Sequence, residues 1–452
     1  MIVLSGGWYV PPGRPEIAVL RRSVEMPNPA AAKHSRLVES GRVSPYAYKP
    51  AATVGAWQPF PGDHPWVGGT ILPRGIDTPG EYEDRRTDGE PIEAGLRVEL
   101  RPYQRRAVDA LLCERQGLVV APCGAGKTTI GVGALVEVGR TALVLVHTLD
   151  LARQWRDRLA EQAGVEAGLV GDSVDERAAP VVVATVQTLA RWPWTALQLW
   201  GRRFGLTVLD EAHHAPAETF CSVLGALPSR WRLGLTATPD RDDGLGPMLG
   251  WCFGRRLSEV RLADLALSGD VLLPELRVVR TGWKPEDEDE SWAALMGALT
   301  KDQDRNALIV EEVLDLAMEG RVVLVLSERV AHCRVLAAAL TASGVAAEPL
   351  VGVLTAKRRA DLLARVRAGT LRVLVGTTVA DEGLDLPNLD AVVMATGTRA
   401  LSRVQQRIGR SMRPAPGKAR PVVVDLVDAW GPLLGQAARR RSLYRSMGVV
   451  GA

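Results

Sequence analysis

The chain has 452 residues, 46% hydrophobic and 24% charged, with a formal net charge of +3, which suits a globular protein of two to four domains. Its longest apolar runs are strand length, well short of the roughly 20 residues of a membrane span, and the N-terminus is too polar for a signal peptide, so a cytoplasmic protein is expected. Five scattered cysteines with no CxxC pair argue against a disulfide framework or a zinc site.

Residues 1–95 are proline-rich, hold Trp8, Trp57 and Trp66, and read as a small α+β accessory domain. Strands are expected at Ile2–Leu4, Ile17–Leu20 and Thr70–Leu72. A helix is expected where Asn28 caps, Pro29 takes the first position and Gly41 stops it. The polar stretch Gly80–Gly95 reads as a linker.

From Leu96 strands and helices alternate. Helix Pro102–Glu114 precedes the apolar strand 141–147, the amphipathic helix Leu149–Gln162, and strands Val181–Thr185, Leu206–Asp210 and Trp231–Thr236. The segment RWPWTALQLWGRR (191–203) reads as loop or helix. Domain 96–254 is followed by a connection, 255–300, whose acidic run Glu286–Glu290 is a solvated loop. A second series fills 301–452: helix Asp304–Met318, strand Val322–Leu326, helix Ala331–Ser343, then strands Val345–Leu350, Val373–Gly376, Ala391–Met394 and Pro421–Asp425. Repeated β-α units with β-branched strands imply two α/β domains with doubly wound parallel sheets. The last third is the basic part, with 22 Lys and Arg against 15 Asp and Glu in residues 301–452, as expected of a surface facing a polyanion.

The stretch LVVAPCGAGKTTI (118–130) places a glycine-rich turn between an apolar strand and a helix start. In that setting the N–H groups of Pro122-Cys123-Gly124-Ala125-Gly126 and Lys127-Thr128-Thr129, proline excepted, converge on phosphate oxygens. Lys127 reaches the β/γ-phosphates and Thr128 binds Mg²⁺. Cys123 is a small filler or an oxidation-sensitive thiol. Further on, LTVLDEAHH (206–214) delivers Asp210 and Glu211 at a strand end, where ligands bind α/β sheets. Asp210 would hold Mg²⁺ through water, and Glu211 would orient and deprotonate an attacking water.

In this order the motifs resemble the superfamily 2 helicases and translocases over about residues 96–448, with Asp210-Glu211-Ala212-His213 as the DEAH motif. The resemblance implies two tandem RecA-like domains behind the small N-terminal α+β domain. It implies that Gln104 of LRPYQ (100–104) reads adenine, and that Thr236 and Thr238 of the TAT motif, with His213, couple the ATP site to nucleic acid. Gly383 and Asp385 of TTVADEGLDLP (377–387) would meet phosphate and ribose. QRIGRSMRP (406–414) supplies Gln406, Arg410 and Arg413, the two arginines one helical turn apart and set to stabilise the γ-phosphate as arginine fingers do. His147, Thr148, Thr185, Gln187, Thr188, Arg241 and Thr377 would grip the nucleic-acid backbone.

The stretches LGLTATPDRDDG (233–244), 253–279 and 422–448 resemble the XPB-type repair helicases and their phage and bacterial relatives; Arg241-Asp242-Asp243 stands where those carry Arg-Glu-Asp. The N-terminal region, with LPRG (72–75), resembles the leader domains of phage-type relatives, which help recognise duplex or damaged DNA. In the tail, Arg439, Arg440, Arg441, Tyr444 and Arg445 read as a phosphate-contacting face or a solvated helix end.

The resemblance implies an Mg²⁺-ATP-dependent DNA helicase or translocase of repair, recombination or replication, held to DNA through its backbone regardless of sequence. A bacterial or phage-encoded protein near the nucleoid is expected. The alternatives are the motor subunit of a restriction or phage-defence complex whose nuclease lies on another chain, an RNA helicase, or an ATPase-idle nucleic-acid-binding module.

Overall fold

The structure is a computed structural model. It describes residues 1–14, 17–28, 30–31, 34–35, 53–55, 57–60, 67, 69–77, 81–211, 217–237, 246–286, 291–352, 354–377, 386, 388–397, 401–415 and 417–451. They divide into two compact units, Met1–Ala121 with Gly126–Val260, and Pro122–Ala125 with Arg261–Ala452.

The N-terminal strands are β1 (Ile2–Leu4), β2 (Trp8–Val10), β3 (Glu25–Pro27), β4 (Thr53–Gly55), β5 (Gln58–Pro59), β6 (Thr70–Leu72) and β7 (Tyr82–Asp84). Five form a sheet in the order β5-β6-β2-β1-β7, and β3 pairs with β4. Ile17–Leu20 is not a strand but opens the helix Ile17–Ser23. A strand would turn Ile17 and Val19 to the same face. The chain instead packs Ile17 and Leu20 on the core and leaves Val19 68% exposed, which is helical spacing. The expected linker also differs, since Tyr82–Asp84 joins the sheet parallel to β1. Asn28 Oδ1 accepts the Ala30 N–H at 2.9 Å as a cap should; most of the helix expected to run on to Gly41, and Trp66, lie outside the described residues.

This region extends the first unit rather than forming a compact unit of its own. Ile2, Leu4, Trp8, Val10 and Leu72 share one apolar cluster with Leu118, Phe220, Leu224 and Phe253. Two buried arginines tie the parts together through carbonyl oxygens. Arg74 donates to Ser229 O at 2.5 Å and Arg230 O at 2.7 Å, and Arg232 donates to Gly6 O at 2.7 Å and Leu224 O at 2.9 Å. Trp8 is core, while Trp57 is engaged by Glu25 and by the Arg21 guanidinium stacked on its ring.

The main sheet of the first unit comprises β8 (Gln116–Val120), β9 (Ala142–Val146), β10 (Gly168–Gly171), β11 (Val174–Asp175), β12 (Val181–Thr185), β13 (Leu206–Asp210), β14 (Trp231–Thr236) and β15 (Arg256–Glu259). Their order is β11-β10-β12-β9-β13-β14-β8-β15, parallel except at the β10–β11 edge. β9, β12 and β13 are buried along their whole length, as continuous apolar runs between two helical layers must be. Parallel pairing brings the C-terminal ends of β8, β14, β13, β9 and β12 to one edge. The ambiguous segment 191–203 contains the helix Trp194–Gly201, with Trp192, Trp200 and Phe204 packed edge to face.

The second unit holds β16 (Glu275–Arg280), β17 (Val323–Leu326), β18 (Ala347–Leu350), β19 (Val373–Gly376), β20 (Ala391–Met394) and β21 (Val422–Val427), all parallel, in the order β16-β21-β20-β17-β19-β18. Two ion pairs are buried within it, Arg305 with Asp428 at 2.7 Å and Arg440 with Asp425 at 2.8 Å. The second pair corrects the tail reading. Of the arginines on the helix Gly431–Ser446, Arg439, Arg441 and Arg445 face solvent, whereas Asp425 on β21 draws Arg440 inward and Tyr444 is buried beside them.

Candidate active site

At the end of β8 the Ala121 N–H donates to Thr236 O at 2.9 Å, which fixes where the loop leaves the sheet. Gly124 and Gly126 have φ of +89° and +72°, conformations that a side chain resists. The helix Lys127–Val138 then begins with no side-chain cap on its first N–H groups, the kind of helix start that favours an anion. A Cβ at Gly126 would stand 2.6 Å from Gln104 Nε2. Gln104 is thus seated against the loop, its Oε1 accepting the Arg101 N–H at 3.0 Å to cap its own helix, Pro102–Glu114.

Lys127 Nζ donates to Ala121 O at 3.4 Å and stands 3.3 Å from Glu211 Oε1. Asp210 ends β13 and is 5% exposed. Its Oδ1 accepts the Glu211 N–H at 2.9 Å and its Oδ2 accepts the Trp155 indole N–H at 2.7 Å. Burial, helped by the Glu211 carboxylate, pushes the Asp210 carboxyl up to about 6, against the pull of Lys127 and the two N–H donors. Glu211 adopts φ +49°, a left-handed conformation that costs a non-glycine residue about 1–3 kcal/mol and is concentrated at functional sites.

Among the described residues no group of three or more His, Cys, Asp and Glu could hold a metal ion. A strand-end carboxylate such as Asp210 fits Mg²⁺, which takes one or two carboxylates and completes its shell with water and substrate phosphates.

Along the same edge, His147 follows β9. Burial lowers its pKa, with Glu211 opposing, so the ring is neutral near pH 7 and belongs to the carboxylate cluster. Thr148 Oγ1 accepts the Leu151 N–H at 3.3 Å and caps the helix Leu149–Ala163. Thr185 and Thr188 share a 2.7 Å hydrogen bond, and Gln187 is exposed. Because Val146 pairs with Thr185, these polar groups follow the ends of the neighbouring strands β9 and β12. Thr236 is buried at the end of β14. His213, Thr238 and Arg241 lie outside the described residues.

In the second unit Thr377 follows β19, buried, its N–H donating to Leu350 O. Arg410 lies half-buried on the helix Leu401–Ser411, but Arg413 does not share that helix, which stops two residues earlier; Pro414 disfavours helical backbone at the residue before it. The Gln406 side chain, Gly383 and Asp385 lie outside the described residues. Trp155, absent from the sequence reading as a site residue, was signalled only by its place on the apolar face of an amphipathic helix.

Two family models match the chain, that of the type III restriction enzyme res subunit over residues 97–241 and that of the helicase conserved C-terminal domain over residues 304–415. A candidate DNA 3'-5' helicase Rad25 of Halobacterium salinarum is 34% identical over 333 residues, covering 72% of this chain and 54% of that protein. A DNA 3'-5' translocase of the XPB class from Sulfurisphaera tokodaii is 29% identical over 352 residues, 70% of this chain and 79% of that protein. The chain thus spans about half the length of the first of these relatives. In fold it is similar to S. cerevisiae Dbp5 bound to RNA and ADP BeF3, with a TM-score of 0.57 at 19% identity over 77% of this chain and 88% of that one, so both units are RecA-like.

Proposed function

Since the chain belongs to the superfamily 2 helicases, we propose that it is a DNA-stimulated, Mg²⁺-dependent ATPase that moves along or remodels DNA in repair, recombination or replication. The observation that carries this is the edge of the first sheet, where Lys127, Asp210 and Glu211 converge at the start of the helix Lys127–Val138.

The loop N–H groups and Lys127 bind the phosphates, and Gln104 reads the base. Thr128 and Asp210 hold Mg²⁺, which when bound neutralises charge on the phosphates. Lys127 exchanges Glu211 for phosphate oxygens, which frees the Glu211 carboxylate to orient the attacking water and take its proton. Gln406, Arg410, Arg413, Gly383 and Asp385 are also assigned to the nucleotide, Arg410 and Arg413 to the charge that spreads over the transferring phosphoryl group. His213, Thr236 and Thr238 couple this site to DNA. His147, Thr148, Thr185, Gln187, Thr188, Arg241 and Thr377 hold the strand through phosphates, so binding is sequence-independent and weakened by salt. We assign 3'→5' movement, following the names of the relatives, a cytoplasmic location with the nucleoid, and a DNA-recognition role for residues 1–95. Unwinding of duplexes with a 3' tail but not a 5' tail tests the polarity; the reverse preference overturns it.

A second reading has one observation in its favour, the match of residues 97–241 to a restriction-enzyme subunit. In it the chain is the motor of a restriction or phage-defence complex and a partner chain cuts. ATP-dependent cleavage that appears only with a copurifying partner would select it.

A further inference from the structure

Trp155 lies on the buried face of the helix Leu149–Ala163, 1% exposed. Its indole N–H donates to Asp210 Oδ2 at 2.7 Å while the Glu211 N–H holds Oδ1 at 2.9 Å. A carboxylate with a donor on each oxygen no longer rotates freely about Cβ–Cγ, so its remaining lone pairs point in set directions. The ring reaches Asp210 past Gly131, on the phosphate-loop helix one turn after Lys127, where a Cβ would stand 2.4 Å from Trp155 Cη2 and 3.2 Å from Cζ3. Glycine is disfavoured inside a helix, and here its missing side chain is the space the indole fills. The rim of one aromatic ring therefore touches the phosphate-loop helix while its N–H touches the acidic strand end.

We propose that Trp155 is a positioning residue for magnesium binding: its N–H sets the Asp210 carboxylate, and Gly131 makes the room that lets it do so. This rests on the assignment of Asp210 to the metal. Groups that orient a ligand carboxylate commonly matter about 10–100-fold for metal affinity. The bond is hidden from the sequence because the partners are 55 residues apart.

The test uses Trp155→Phe, which keeps most of the ring and loses the donor, and Gly131→Ala, which keeps the donor and displaces the ring. A fluorescent ATP analogue is titrated in Mg²⁺ and in EDTA, alongside thermal melting and with Asp210→Asn as reference. Both variants are expected to need roughly tenfold more Mg²⁺ for half-maximal nucleotide binding, with affinity in EDTA within about twofold of the unaltered chain. An unchanged Mg²⁺ requirement in Trp155→Phe, or an equal loss in EDTA, overturns the proposal and leaves Trp155 a packing residue. If Asp210→Asn itself leaves the Mg²⁺ requirement unaltered, the metal assignment has failed instead.

Discussion

In the first unit Lys127 and Glu211 meet at 3.3 Å with side chains 9% and 17% exposed; in the second, Arg305 and Asp428 meet at 2.7 Å with side chains 1% and 4% exposed. Both are ion pairs near the C-terminal ends of parallel strands. The inner pair is closed in by further partners, with Arg305 also donating to Ala395 O and Thr281 donating to Asp428. The outer pair is longer, more open and set beside a second carboxylate whose pKa burial has raised. A charge that must change partners in a cycle cannot be so enclosed, since every fixed partner would have to be undone. The contrast separates charges kept for chemistry from charges kept for shape.

The largest expected effect tests the chemical side. Glu211→Gln should lower ATP turnover by about 10²–10⁴-fold while nucleotide binding and the melting temperature stay near those of the unaltered chain. Unimpaired hydrolysis would remove Glu211 from the reaction. On the structural side, Asp428→Ala should cost about 3–5 kcal/mol in urea unfolding, because it strands a buried guanidinium, whereas replacing both partners, Arg305→Met with Asp428→Leu, should cost clearly less. A loss no larger than that of a surface substitution would break the comparison.

His332 sharpens it through pH. The ring lies between Ser327 Oγ at 2.8 Å and Asn306 Oδ1 at 2.9 Å, and burial, with the Arg305 charge adding to it, pushes its pKa down to about 4. The unfolded chain takes up this proton near pH 6.5, well before the folded one does, so the contribution to stability is complete above pH 6.5 and is lost as pH falls towards 4. His332→Gln should therefore narrow its stability gap to the unaltered chain between pH 7 and 5; a constant gap would contradict the neutral buried ring. The smallest effect belongs to the tail, where Arg439→Ala should change stability by less than about 0.5 kcal/mol. Arg440→Met, by stranding Asp425, should cost several times more.

The two parallel sheets and the glycine turn before the helix Lys127–Val138 could be read from sequence because their determinants are local: apolar strand runs, glycines between a strand and a helix start, an acidic pair at a strand end. What escaped depends on partners far along the chain. Arg74 meets carbonyls 155 and 156 residues away, and Tyr9 donates to Gly225 O 216 residues away, so nothing near residue 95 told that the N-terminal region packs into the first α/β unit. The strand expected at Ile17–Leu20 failed because four apolar residues fit either period. Arg440 looked like its exposed neighbours until Asp425 was seen beneath it.

ATP hydrolysis at the Lys127–Asp210–Glu211 edge should respond to nucleic acid. The most direct measurement is steady-state ATPase rate with single-stranded, duplex and branched DNA and with RNA in parallel, for the unaltered chain and for Glu211→Gln. The expected result is a low basal rate, a several-fold or larger rise with at least one DNA form, less with RNA, and neither in the variant. A rate that no DNA alters, or one that survives in Glu211→Gln, would contradict it.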